Sequence, residues 1–382
     1  MGSFLLNLHA NSSHFLLFIT KRNTFTMPSS TVTTTSMAVT HGHYTKTQFV
    51  AAKIEDDEEE KFLTQECKEL LLCLPRQKGW RTPYLYEFQG FWCQPKEIQA
   101  ILSFQNHFIS QESDVILATI PKSGTTWLKG LVFSIMNRKR FDVIDSKAHP
   151  LLHSNPHDLV PFFEYKLYSN NQIPDLSKFP DPRLFATHIP FNSLMLQESI
   201  KNASPKIVYL CRNPLDTFIS SWHFVNNLRP KSLPPFQMEE AFKMYCDGII
   251  GFGPFWKHML GYWNESLKHP NGVLLLRYEE MREDTVSNLK ELAKFLGCPF
   301  SVEEEKEGVI KEIAKLCSFD KMKNLEVNKS GKSIKNFENK HLFRKGEVGD
   351  WVNYLSPSMV EQLSQIMEEK LDGSGLTFKL FS

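Results

Sequence analysis

Four short apolar runs punctuate the chain, each bounded by turn-forming or charged residues. Val115-Ile116-Leu117-Ala118-Thr119-Ile120 is continuous rather than alternating, the pattern of a strand buried on both faces of a parallel sheet. Arg183–Thr187, Lys206–Cys211 and Val273–Tyr278 read as further strands. Between these runs the spacing of apolar positions becomes helical. It predicts helices over Glu97–Phe108, Thr125–Arg138, Leu215–Phe224, Gln237–Cys246, Phe255–Lys268, Asp284–Leu296 and Ser356–Leu371, the last with Pro357 in its first turn. Ser301 followed by Glu304 is a capping-box pattern for a helix running to Leu316. A charge run, Asp56–Lys61, opens a helix through Leu74. Pro75–Tyr86 reads as irregular, residues 142–182 as a long excursion, and Arg229–Pro235 and Lys329–Gly349 as loops. Strands alternating with helices predict one α/β domain, a central parallel sheet flanked by helices. It spans residues 55–382, after an extension of residues 1–54.

Composition narrows the possible partners. The 382 residues are 41% hydrophobic, enough for one large core. Lys+Arg total 44 against 43 Asp+Glu. That balance gives no push toward nucleic acid or an anionic membrane, so any anion site must be a local arrangement. No run approaches the roughly eighteen apolar residues of a membrane span. Seven cysteines, an odd number without a CxxC pair, fit a reducing compartment and place the chain in the cytoplasm. The sequons at Asn11, Asn202, Asn264 and Asn328 are then chance matches. Residues 1–54 lack Asp and Glu, are rich in Ser and Thr, and carry Lys21 and Arg22. Transit peptides share that composition. We read a disordered extension, with plastid import as the alternative.

Three segments carry candidate chemistry. In the first, a strand runs into Pro121-Lys122-Ser123-Gly124-Thr125-Thr126-Trp127 and then a helix. Backbone N–H groups at a helix N-terminus point at an anion, and the helix dipole favours negative charge there. Gly124 permits close approach, Lys122 adds a point charge, and Ser123, Thr125 and Thr126 add hydroxyls. Lys122 precedes the glycine and no GxxxxGK occurs, so this is not a Walker A loop. An ordinary glycine turn fits the layout equally well. In the second segment, Arg212-Asn213-Pro214 follows a strand, where open α/β sheets bind ligands, and Ser220 lies two turns into the next helix. In the third, Arg344, Lys345 and Gly346 place two cations and a glycine in a loop.

Together these segments resemble the signatures of the cytosolic sulfotransferase family, over roughly residues 60–380. TIPKSGTTW resembles its 5′-phosphosulfate loop, CRNPLDTFISSWHF its 3′-phosphate segment, and RKGEVGDW its C-terminal cofactor loop. Within the family, GWRTPYLYEFQGFWCQPKEIQA, SNPHDLVPFFEYKLY, GPFWKHMLGYW and KSIKNFENKHLFRKGEVGDWVNYLSPS are most similar to plant members acting on hydroxyjasmonate. The resemblance implies a P-loop-like sulfotransferase fold. It also implies transfer of a sulfuryl group from 3′-phosphoadenosine 5′-phosphosulfate (PAPS) to the hydroxyl of a small plant metabolite, 11- or 12-hydroxyjasmonate, without a metal. Lys122 through Trp127 would hold the 5′-phosphosulfate, with Trp127 also near the adenine. Arg212 and Ser220, closed over by Arg344, Lys345 and Gly346, would hold the 3′-phosphate. Tyr278 would contact the base, Phe319 would sandwich the adenine, and His188 in ATHIP would be the catalytic base, assisted by Lys122. A neutral imidazole suits that task, because the attacking alcohol must lose its proton.

The chain also departs from the family. Animal members commonly carry Lys two residues before that histidine, where this chain has Ala186. Aligned on Trp351, the animal dimer motif falls on Val352, Ser356, Pro357 and Glu361, and only the last matches. The oligomeric state therefore stays open. His149, His153 and His157 recur every four residues, but Pro150 and Pro156 break the helix that a metal site at that spacing needs. That segment is expected to form acceptor pocket, with Phe162, Phe163 and Tyr165 as its wall. The rival readings are a flavonoid or brassinosteroid sulfotransferase, a P-loop kinase-like enzyme, and an inactive nucleotide-binding protein.

Overall fold

The computed structural model describes residues 62–144, 148–229, 234–334 and 338–378. The 1–54 extension and the charge run at Asp56–Lys61 lie outside them. The first helix among the described residues, Gln65–Cys73, starts at an N-cap Thr64 whose side chain accepts from the Cys67 N–H. The stretch read as irregular is instead a small antiparallel meander. It comprises β1 (Arg76–Lys78), β2 (Tyr84–Phe88) and β3 (Phe91–Cys93). Strands of three to five residues are too short to show an alternation of their own.

The central sheet has four strands, β4 (Val115–Thr119), β5 (Leu184–Thr187), β6 (Lys206–Cys211) and β7 (Val273–Arg277). Their order is β5-β4-β6-β7 and every pairing is parallel. Leu117 faces Ala186 on one side and Val208 on the other. All five residues of β4 are buried, which is why its sequence is continuously apolar. Alternate residues feed two cores. Leu117, Val208, Leu210 and Leu276 pack with Leu128, Leu131, Val132 and Ile135 of the helix Thr125–Asn137. Ile116, Ala118, Tyr209 and Cys211 pack on the opposite face with Phe104, Phe163, Phe218 and Tyr262. Rings dominate that second core, with Phe104 and Phe163 centroids 4.4 Å apart and Phe163 and Phe185 5.2 Å apart. Phe163, expected on the acceptor wall, belongs here.

Other boundaries move for local reasons. The helix after β6 runs over Pro214–Leu228, beyond Phe224, with Pro214 at its first position. The Ser301–Glu304 capping box forms, but Gly308 at φ 79° splits that region into Val302–Lys306 and Val309–Leu316. Tyr278 does not end β7; it opens a short helix, Tyr278–Glu283. The long excursion holds short turns started by Pro150 and Pro156, each at a first helical position. The basic loop after Lys329 contains the 3₁₀ turn Asn339–Leu342.

The sheet is anchored at its amino end by a buried ion pair. Arg183 Nε and Nη2 each lie 2.7 Å from one oxygen of Asp114, and Nη2 also donates to the Ile109 carbonyl at 3.0 Å. Asp114 is fully buried, and its carboxylate also accepts from the Gln111 N–H at 2.8 Å. Removing one partner of such a pair strands a buried charge. Arg183→Ala is expected to lose about 3–5 kcal/mol of stability, read as a lower urea midpoint; an unchanged midpoint would contradict this role.

Candidate functional site

Each parallel strand delivers a candidate residue at its carboxyl end. β4 runs into Lys122–Gly124, β5 into His188, β6 into Arg212 and β7 into Tyr278. The strand order reverses at β4, and ligands of open α/β sheets bind in the crevice at such a point. The turn after β4 takes left-handed backbone at Lys122 (φ 72°) and Gly124 (φ 105°). A Cβ at position 124 would stand 2.8 Å from Tyr278 Cδ2, so both the dihedral and the contact require glycine. No side chain caps the helix that follows, so its first N–H groups face outward over the turn.

These segments share one cavity of about 310 Å³. Lys122, Gly124, Thr125, Thr126, Trp127, His188, Arg212, Ser220, Tyr278, Phe319, Arg344, Lys345 and Gly346 all line it. Ser123 does not; it is buried beneath the turn. Tyr278 ties the pieces together. Its hydroxyl donates to the Gly346 carbonyl at 3.0 Å, its ring meets Trp127 edge-on at 5.4 Å, and the Arg212 guanidinium lies 4.6 Å above it. Gly346 (φ 71°) rests on the Phe319 ring, where a Cβ would come within 2.5 Å.

The electrostatics of this half favour a polyanion. Burial, then the nearby Arg212 and Arg344 guanidiniums, pull the Lys122 ammonium from 10.5 to about 7. On the cavity wall, Arg212 Nε and Arg344 Nε are buried with no hydrogen-bond partner among the described residues. Phosphate and sulfate oxygens offer the acceptors these groups need. Asp350 holds Arg344 and Lys345 from behind. Burial works against its ionisation, but hydrogen bonds from those two residues bring it down to about 2.

His188 sits at the other end of the cavity. Its Nδ1 lies 2.7 Å from the Thr119 carbonyl, which can only accept. The proton is therefore on Nδ1, and Nε2 is the basic nitrogen. Burial lowers the imidazole from 6.5 to about 3 against that hydrogen bond, with Lys129, His258 and Lys122 adding to the fall. The ring is neutral throughout the physiological range. The Glu164 carboxylate accepts from the His188 N–H at 2.7 Å and from Thr187 Oγ1 at 3.0 Å, and burial raises it to about 7.

The remaining wall was only partly visible in the sequence. Phe162 and Tyr165 do line the cavity, joined by Glu164, Arg81, Gln94 and Glu97. Contacts connect them: Arg81 Nη2 to Gln94 Oε1 (2.7 Å), Gln94 N–H to Glu97 Oε2 (2.8 Å), and Tyr165 hydroxyl to Glu97 Oε1 (2.6 Å). Tyr165 then meets the His188 ring at 5.9 Å. Gln94 and Glu97 meet in one capping box, but Tyr165 joins Glu97 from 68 residues away, which the sequence does not show. His157 also lines the cavity, whereas His149 accepts from the Leu151 N–H and His153 is exposed. The four-residue histidine spacing gathers no common site.

Residues 112–375 match the family model described as the sulfotransferase domain. The chain belongs to the sulfotransferase family. Cytosolic sulfotransferase 15 of Arabidopsis thaliana is 64% identical over 85% of this chain and 90% of its own length. Cytosolic sulfotransferase 14 of the same plant is 61% identical over 85% and 94%. A crystal structure of an Arabidopsis thaliana putative steroid sulphotransferase, 42% identical, superposes with a TM-score of 0.66 over 81% of this chain and 94% of that one. A mouse sulfotransferase complexed with PAP is 25% identical, with a TM-score of 0.57 over 76% and 95%. This sulfotransferase is thus a PAPS-dependent enzyme of the plant cytosolic type, with the fold expected from its strand pattern.

One consequence concerns Lys122 of the sulfotransferase. An anion bound beside it raises its pKa from about 7, so binding takes up a proton at any pH between the free and bound values. Affinity for PAP, the desulfated donor, is expected to hold steady below pH 7 and to fall as pH rises above it. Calorimetry at pH 8 in buffers of different ionisation enthalpy should show proton uptake. No uptake, with PAP bound, would place Lys122 away from the anion.

Proposed function

We propose that the cavity joins a PAPS site to an acceptor site for a small carboxylated alcohol, with hydroxyjasmonate as the substrate. One observation carries this reading: the anion turn, both candidate phosphate grips and a neutral histidine open on the same cavity. In this reading Lys122–Trp127 hold the 5′-phosphosulfate and Arg212, Ser220, Arg344, Lys345 and Gly346 the 3′-phosphate. Trp127, Tyr278 and Phe319 frame the adenine. The acceptor hydroxyl gives its proton to His188 Nε2 as its oxygen bonds to sulfur. The bond from sulfur to the bridging phosphate oxygen breaks, and PAP leaves with the charge that Lys122 and the turn N–H groups stabilise. A base with so low a pKa in the free site gains basicity as that negative charge gathers opposite it.

The acceptor assignment rests on sequence resemblance and on Arg81 with Lys96. Both cations line the wall that leads through Gln94, Glu97 and Tyr165 to His188. A guanidinium there matches a carboxylate held away from the reacting hydroxyl. A steroid or flavonol offers no such group. We assign residues 55–382 to the catalytic domain, which contains the matched 112–375. We place the enzyme in the cytoplasm, the compartment its relatives' names carry.

Two measurements test this. His188→Ala should lower turnover by about 10²–10⁴-fold while PAP affinity stays within a factor of about three; normal turnover removes His188 as the base. With labelled PAPS, hydroxyjasmonate should outrun its methyl ester, a flavonol and a steroid. Arg81→Ala should raise KM for the free acid by about 10-fold or more, as expected for a lost charge-assisted hydrogen bond, and leave the ester unchanged. Equal rates for acid and ester would sink the carboxylate reading.

A further inference from the structure

Behind the anion turn lies a buried polar chain with no part in the steps above. Lys129 sits three residues after Thr126 in the same helix, so both share a face. It is fully buried, in a helix position where a methionine would fill the same space. Its Nζ lies 2.9 Å from His157 Nδ1 and 3.2 Å from the centroid of the Phe162 ring. His157 Nε2 lies 3.2 Å from Thr126 Oγ1. The imidazole stacks on Phe162 at 5.1 Å, and Phe162 also meets the His188 ring, tilted, at 4.8 Å. The His157 N–H donates to Asn155 Oδ1 at 2.9 Å, and Asn155 is tied to Asn328 at 2.8 Å. The ring is thus held from its backbone, its face and both nitrogens.

Resting on the donor reading of the anion turn, we propose that Lys129 and His157 are positioning residues that fix the Thr126 hydroxyl as a hydrogen-bond donor toward the transferred sulfuryl group. An ammonium has three donors and no acceptor. His157 Nδ1 must then accept, which puts the imidazole proton on Nε2. That N–H donates to Thr126 Oγ1, and the Thr126 proton turns toward the cavity that the residue lines. Burial pulls the Lys129 ammonium well below its ordinary range, and Lys166 adds to the fall, while the Glu164 and Asp158 carboxylates and the Phe162 face act against it. Polarised hydrogen bonds in series carry this charge to a hydroxyl in the cavity, although the amine itself touches no ligand. The backbone of Phe162 pairs with Ala186, two residues before His188. Position 186 has no charge to offer there, and Lys129 brings a cation to the same region from a different element.

Full-length protein tests this in two ways. Nitrogen-15 NMR of the wild type should find His157 as the Nε2–H tautomer, and Lys129→Met should lose that preference. In assays with PAPS, Lys129→Met should lower kcat by about 10-fold or more, within the range for a lost transition-state donor. PAP, which has no sulfuryl group, should bind within about twofold of wild type. Thr126→Val combined with Lys129→Met should be no slower than Thr126→Val alone, because both act through one hydroxyl. An Nδ1–H tautomer in the wild type overturns the proposal, even where Lys129→Met does not fold. Unchanged kcat, or additive losses in the double variant, also overturn it. Wild-type protein that fails to bind PAP would instead overturn the donor-site reading, whatever the tautomer.

Discussion

The site depends on the burial of β4 between two parallel neighbours. With β5 and β6 on its edges and a core on each face, β4 cannot fray or curl. Its chain must turn abruptly at its carboxyl end to start the helix at Thr125. The turn needs left-handed backbone at Lys122 and Gly124, a conformation that costs little only at glycine. That conformation aims helix N–H groups and Lys122 into the crevice. The parallel register then brings His188, Arg212 and Tyr278 to the same rim, because every strand ends on the same side.

Concentrating cations at this rim has a cost that is visible in Lys122, which burial and its neighbours drive toward neutrality. Acidic groups behind the cavity offset it. Asp216 lies 3.4 Å from Arg212 and accepts from the Gly349 and Trp351 N–H groups, and Asp350 holds Arg344 and Lys345. The carboxylates therefore fix the C-terminal loop and orient the cations, while Arg212 Nε and Arg344 Nε keep a hydrogen-bond deficit. In the proposed reading a donor phosphate supplies the acceptors that those two nitrogens lack.

How much of this was legible in the sequence follows from how local each feature is. β4, β6 and the helices flanking them carry apolar patterns long enough to read, and the anion turn is contiguous. Arg212 lies just before the helix Pro214–Leu228 and Ser220 two turns into it, so both were legible as candidates from one contiguous segment. The meander at Arg76–Cys93 was not, because its strands are shorter than one readable period. Tyr278 was placed at the end of a strand, although it begins a helix, because the apolar run continues across the boundary. His157 was set aside as a metal ligand when the prolines broke the helical spacing, and its segment was expected on the acceptor pocket, whose cavity it does line. Its partners Lys129 and Thr126 lie on a different helix and become neighbours only in the fold.

This contrast in locality divides the cavity itself. The donor wall comes from segments that are each continuous in sequence, so a family signature can mark them. The wall proposed for the acceptor comes from Arg81, Gln94, Glu97 and Tyr165: the Gln94 backbone N–H donates to Glu97 within one helix start, and Arg81 and Tyr165 reach that start by side-chain hydrogen bonds. Arg81, Gln94 and Glu97 share one stretch, but Tyr165 joins Glu97 from 68 residues away, a meeting that the fold brings about. In the proposed reading, one half of the cavity holds a fixed donor while the other is free to change its partner. The link between the halves is His188, locked by the Thr119 carbonyl of β4 on one side and touched by Tyr165 on the other. In the proposed reading, an acceptor is productive only where its hydroxyl reaches Nε2 while its far end meets Arg81, so specificity would be a matter of distance along that wall as much as of charge.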